Sequence, residues 1–223
     1  AECGGSGLRA PVLGEARTGE ELGRTFPSTP VRTSAAGHVV SVVPDKPAIV
    51  VATPGAEPVA AAGYAAVVLL DTWLLLGRDD LRAEEEALRR WSNAVALVRP
   101  GGVAVAVGDP GQRALQALVR WDHAGFALRT AHERQEARLP PAARLATVTG
   151  EPGALDDVVT LLGQPDYLEV LGPVPAAEGG ERLVVRAPRS HGAELSRALG
   201  ELQRMRSSRK LDAVRIQVDP LSL

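Results

Sequence analysis

SSRKLDAVRIQVDPLSL (Ser207–Leu223) reads as a turn, a basic patch and one closing β-strand. Val214, Ile216 and Val218 alternate with Arg215 and Gln217, the period-two pattern of a strand with one buried face. Working backward, His191–Arg206 forms a long helix whose Leu195, Leu199 and Leu202 fall on one side. Arg182–Ala187 is a strand that sets Leu183 and Val185 against Arg182 and Arg186, and Leu168–Leu171 is a strand bounded by Gly172-Pro173-Val174-Pro175. Gly153–Leu162 supplies another helix, with Leu155, Val158, Val159 and Leu162 inward, and Arg144–Val148 the first strand. The order β–α–β–β–α–β predicts an α+β domain of the ferredoxin-like, split βαβ type.

Arg138-Leu139-Pro140-Pro141 marks a boundary, because paired prolines break a helix and stiffen a link. From Glu15 to about Thr130 short apolar runs alternate with amphipathic segments, which predicts α/β structure with a parallel sheet of the RecA-like or Rossmann-like group. Pro30–Thr33 and Ala48–Ala52 read as strands, and Ala65–Leu70 and Gly102–Val107 as strands buried on both faces. Glu20–Arg24 opens a helix. Asp80–Leu97 reads as a helix with Leu81, Leu88 and Trp91 on one face, ended by Pro100-Gly101-Gly102. Pro110–Asp122 reads as a further helix with Leu115, Leu118 and Val119 on one side.

The 223 residues carry a net charge of −2, with 45% hydrophobic and 23% charged residues, a globular composition with no global electrostatic attraction for nucleic acid. Aromatic residues make up 3%, too few for a broad base-stacking platform. Any DNA site must therefore be local. Between Arg182 and Arg215 lie nine basic and three acidic residues, so positive charge is concentrated at the carboxyl end. Arg204, Arg206, Arg209 and Lys210, together with Arg186, read either as a phosphate-tracking cluster or as a solvated surface that suits the helix dipole. No apolar run reaches the ~20 residues of a membrane helix, and the first residues show no secretory pattern, so a cytoplasmic protein without membrane contact is expected. The single cysteine, Cys3, rules out an internal disulfide and reads either as a free thiol or as one zinc ligand in a glycine-rich turn. His38, His123 and His132 form no visible metal or catalytic constellation.

Several strings resemble the PriA family of bacterial primosomal proteins, in an actinobacterial-type variant with degenerate helicase motifs. They are Pro140-Pro141, Arg144-Leu145, Val170-Leu171-Gly172-Pro173-Val174-Pro175, Ala187-Pro188-Arg189-Ser190 and Val218-Asp219-Pro220. Farther upstream, Cys3-Gly4-Gly5-Ser6, Thr18-Gly19-Glu20 and Phe26-Pro27 follow the family's order from zinc module to helicase lobe. The resemblance implies three regions: residues 1–14 as the end of a truncated zinc-binding module, 15–137 as a RecA-like second helicase lobe, and 138–223 as the family's carboxyl-terminal domain. It implies zinc only in a full-length protein, with Cys3 as a partial site.

The motor chemistry departs from the family. No G-x-x-x-x-G-K-[ST] string occurs, the loop Pro54–Val59 has no lysine and no polar cluster, and Trp91–Val98 is apolar where two Gly-Arg pairs should stand. Loss of a transition-state arginine costs ~10³-fold or more in phosphoryl transfer. The expectation is a protein that binds branched or abandoned fork DNA and helps reload the replicative helicase, with no catalytic residues and no ATP bound or hydrolysed. Its implied partners are fork DNA, single-stranded DNA-binding protein, and primosome and replicative helicase components. Two alternatives stand beside it. One is an active ATP-dependent DNA helicase. The other, suggested by Val98-Arg99-Pro100-Gly101-Gly102-Val103, is a Rossmann-type methyltransferase using S-adenosylmethionine, although Glu15–His38 offers neither its glycine-rich loop nor its acidic residue.

Overall fold

A computed structural model describes residues 14–78, 80–163, 165–177 and 179–220. The chain divides into two compact units, one holding the described residues up to Gly77 together with Glu84–Trp121, the other Arg78–Ala83 and the residues from Asp122 onward.

In the first unit, α1 (Glu15–Thr25) leads to β1 (Val31–Ser34), β2 (Val42–Val43), β3 (Ile49–Ala52), β4 (Val59–Ala60) and β5 (Tyr64–Leu69). After them come α2 (Trp73–Leu76), α3 (Ala83–Val95), β6 (Val98–Ala106) and α4 (Arg113–Arg120). The pairings between these strands are parallel, but the strands form separate pairs, β1 with β3, β2 with β4 and β5 with β6, rather than one continuous sheet. Pro44, Pro47, Pro54 and Pro58 flank these strands and offer no N–H to a ladder. The buried Ser34 hydroxyl compensates locally, donating to Ala56 O at 2.6 Å and accepting from Val40 N at 3.0 Å. Tyr64 donates to Pro58 O at 2.8 Å, and burial pushes its phenol pKa upward.

Four sequence expectations change here. Strands β5 and β6 are not buried on both faces: Val68, Val103, Val105 and Val107 are exposed, because a two-stranded sheet leaves one side without a covering layer. Pro100-Gly101-Gly102 lies inside β6, where the β5 partner shifts register between Tyr64 and Ala66. A Cβ at Gly102 would collide with Ala65 O and the Val98 side chain, so this close strand approach requires glycine. Val119 points to solvent while Ala114, Leu115, Ala117 and Leu118 form the buried stripe of α4, and Leu81 lies outside α3, whose buried residues are Ala83, Ala87, Leu88, Trp91 and Ala94.

The second unit begins with α5 (His123–Glu136), a helix absent from the sequence expectations. Trp121 adopts a left-handed φ of 54°, and the Asp122 side chain then caps the new helix by accepting from Gly125 N. Phe126 is buried, and Arg134 donates to Leu81 O and Pro140 O, which groups α5 with the carboxyl-terminal half. Then follow β7 (Ala143–Gly150), α6 (Pro152–Leu162), β8 (Glu169–Pro175), β9 (Glu181–Pro188), α7 (Gly192–Ser208) and β10 (Arg215–Val218).

The four strands form one antiparallel sheet in the order β10-β7-β9-β8. β7 and β8 run in the same direction with β9 inserted between them, which is the split βαβ arrangement. Helices α6 and α7 bury Leu155, Val158, Leu195, Leu199 and Leu202 against Ala146, Val148, Leu183 and Val185 of the sheet. Among the described residues, no helix is long and apolar enough to cross a membrane.

A local electrostatic prediction concerns α3. Hydrogen bonds from Arg89 and then Arg90 hold the Glu86 carboxyl at about 2, down from 4.5. The carboxylate's contribution is therefore complete above the ordinary value and is lost as pH falls through the lowered one. Glu86→Gln should reduce stability at pH 7 by at most about 1 kcal/mol, as expected for partly exposed pairs. Urea titrations repeated at falling pH should show that difference shrinking below pH ~4.5.

Candidate nucleic-acid interface

Helix α7 presents Leu195, Leu199 and Leu202 inward, so Arg204 faces solvent. The helix closes in a tight turn: Arg209 N donates to Met205 O, Lys210 N to Ser207 O, and Lys210 takes a left-handed φ of 53°. Arg204, Arg209 and Lys210 are exposed, and none has a side-chain partner among the described residues. Cations left solvated at a helix end are available to phosphates, and they also meet the negative end of the helix dipole.

Arg206 does not belong with them. Its side chain is only 4% exposed; Nη1 donates to Ala154 O at 3.1 Å and Nη2 to Asp212 O at 2.6 Å, with Asp157 Oδ2 3.9 Å away. The reason lies in spacing: Leu195, Leu199, Leu202 and Arg206 recur at helical intervals, so the arginine continues the inward stripe. Its guanidinium ties the end of α7 to the first turn of α6 and to the segment entering β10. This corrects its expected place in the phosphate-tracking cluster.

Arg186 is also largely spent on structure. It stands directly across from Glu169 in the β8–β9 register, and its Nε and Nη2 donate to Glu169 Oε2 at 3.0 and 2.7 Å. Nη1 reaches Ala137 O at 3.1 Å, and Arg138 approaches the same carboxylate at 3.7 Å. These groups line a cleft of about 810 Å³ together with Tyr167 and Arg189. The Tyr167 ring stacks on the His191 imidazole, with centroids 5.0 Å apart and planes 7° from parallel. Neither Tyr167 nor Arg189 was singled out as a site residue from sequence, since the helix-start turn that brings them near each other is a tertiary feature.

The segments expected to have lost motor chemistry are internally satisfied. Gly55 N–H donates to both carboxylate oxygens of Glu57, at 3.0 and 2.9 Å. Arg90 donates to Pro54 O at 2.9 Å and to Glu86 at 2.6 Å. Trp91 and Ala94 are buried in α3. Cys3 lies outside the described residues, and among those described no group of three or more His, Cys, Asp or Glu is placed to hold a metal.

Residues 135–221, which span the split βαβ sheet and its helices, match the family described as Primosomal protein N C-terminal domain. The similarity extends well beyond that domain: the chain is 45% identical over its whole length to a Mycobacterium leprae protein described as "Probable replication restart protein PriA". The chain resembles the carboxyl-terminal portion of PriA. Proteins of the same description from Mycobacterium tuberculosis and Mycobacterium bovis are 42% identical over 99% of the chain. In each case the chain spans 37% of the PriA relative's length. The PriA-type domain therefore coincides with the second unit from the end of α5 onward, the part that carries the exposed cations and the Tyr167 cleft.

The inward placement of Arg206 has a measurable consequence. Arg206→Met should lower the stability of the second unit by about 2–3 kcal/mol, because charge-assisted hydrogen bonds to two carbonyl groups are lost. Urea unfolding measures it. DNA affinity per folded molecule should stay unchanged.

Proposed function

We propose that this chain serves replication restart as a DNA-binding and assembly module, without a motor of its own. The carrying observation is the division of labour among its arginines and lysines: Arg206 and Arg186 are tied to protein groups, while Arg204, Arg209 and Lys210 remain solvated at one turn. The replication restart description of its mycobacterial relatives supports the biological setting. In this proposal the solvated cations contact the phosphates of branched fork DNA. Single-stranded DNA-binding protein, primosome components and the replicative helicase are the protein partners, and the setting is the cytoplasm. Zinc enters only through Cys3, whose single thiolate needs further ligands to close a tetrahedral site.

The first unit acts here as a scaffold derived from a RecA-like lobe. Its Gly55 amide, which could otherwise meet a phosphate oxygen, is already occupied by the Glu57 carboxylate. Arg90 is held by Glu86 and Pro54 O. A loop whose donors are satisfied from within must break those bonds before it can hold a nucleotide. The methyl-transfer alternative is less well supported, since Pro100-Gly101-Gly102 falls at the irregularity of β6, between the paired residues Val98 and Val103.

The test is fork-DNA binding by fluorescence anisotropy across a salt series, with ATP hydrolysis followed on the same DNA. Changing Arg204, Arg209 and Lys210 together to Ala should weaken binding about tenfold and flatten the salt dependence by roughly one unit for each phosphate contact removed. Hydrolysis should stay at background. Unchanged affinity in the triple variant would remove the proposed interface, and DNA-stimulated hydrolysis would remove the motor-free reading.

A further inference from the structure

The cleft beside Tyr167 carries more chemistry than a backbone contact requires. At about 810 Å³ it falls within the roughly 300–1,000 Å³ of small-ligand sites. It is lined by three arginines, Arg138, Arg186 and Arg189, against two carboxylates, Asp166 and Glu169. Glu169 is already matched by Arg186 and Arg138, at 2.7 and 3.7 Å. Arg189 is exposed and has no side-chain partner among the described residues. Tyr167 is half-buried, lines the cleft and stacks on the His191 imidazole, which is not part of the lining.

A supported aromatic ring, an uncommitted guanidinium and a cleft of this size together match one ligand chemistry. We infer that the cleft receives a single unstacked nucleotide of single-stranded DNA at a branch, its base against Tyr167 and its phosphate at Arg189. The inference rests on the DNA-binding reading above and deepens it, adding a base-dependent contact to a sequence-independent one. Base-on-aromatic stacking accepts any base, because every base has a π-face. Arginine suits the phosphate end, since its planar fork pairs two oxygens at once. Paired bases within a duplex cannot enter, so the cleft discriminates branched or gapped DNA from intact duplex. The matched Glu169 keeps Arg186 and Arg138 fixed, leaving Arg189 to respond to the ligand.

The experiment measures binding of the whole chain to a fork with a short single-stranded gap at the branch point, and to the same fork with abasic sites in the gap. The unaltered protein should bind the base-containing fork about tenfold more tightly, and Tyr167→Leu should reduce that preference to about twofold or less. Because Tyr167 also packs against the core, Arg189→Ala at an exposed position provides the independent arm, with an expected loss of about fivefold on the gapped fork. Equal affinity of the unaltered protein for both forks, full preference retained by Tyr167→Leu, or undiminished affinity of Arg189→Ala for the gapped fork would overturn the inference. The triple change at Arg204, Arg209 and Lys210 separates the two ideas. It should weaken both forks alike, so its success beside a failed cleft test leaves the DNA reading standing. Absence of any DNA binding would remove both.

Discussion

The antiparallel pairing of β7 with β9, in register from Ala143↔Pro188 to Gly150↔Glu181, decides what every other side chain in the second unit can do. Side chains alternate across a sheet, so a slip of one residue would exchange the two faces. The observed register places Ala146 beside Val185 and Val148 beside Leu183, under α6 and α7. The same register sets Leu145 beside Arg186 and Thr149 beside Arg182 on the opposite face. Because β8 pairs antiparallel with β9, Arg186 then finds Glu169 directly across, and that pair lines the same cleft as Tyr167.

Charge in this domain is abundant, but its availability is a matter of geometry. Arg144 pairs with Asp219 at 2.7 Å, Arg186 with Glu169, and Arg206 with main-chain carbonyls. Each of these residues counts toward the basic composition of the carboxyl end without offering a cation to a ligand. Cations without side-chain partners among the described residues include Arg204, Arg209 and Lys210 toward the close of α7, Arg197 on its exposed face, and Arg189 in the short turn before it. The sheet and helices supply the rigid support on which these side chains stand.

Much of this was legible in the chain. Alternation of Leu183 and Val185 with Arg182 and Arg186 gives a strand whose faces the structure reproduces, whereas in β10 Ile216 turns inward but Val218, expected beside it, is exposed. The inward course of Arg206 was also legible in principle, since it stands four residues after Leu202, but residue type outweighed position in assigning it to the surface. Helix α5 was hidden because its start depends on Trp121 entering a left-handed conformation and on the Asp122 cap, a local event with little hydrophobic signal. The exposure of Val68, Val103 and Val105 was not legible at all. A run of apolar residues announces a strand, but says nothing of how many layers cover it. Nor could sequence show the Tyr167–His191 stack, which joins the approach to β8 with the approach to α7.

Strand β8 lies at the outer flank of the four-stranded sheet and carries Pro173 and Pro175 near its end. Proline has no amide hydrogen to offer a newcomer, and the irregularity between Leu171 and Val174 bends the border away from a flat template. Polymerisation through this margin is therefore disfavoured. The sheet border is in this way hindered from recruiting a strand of a second copy.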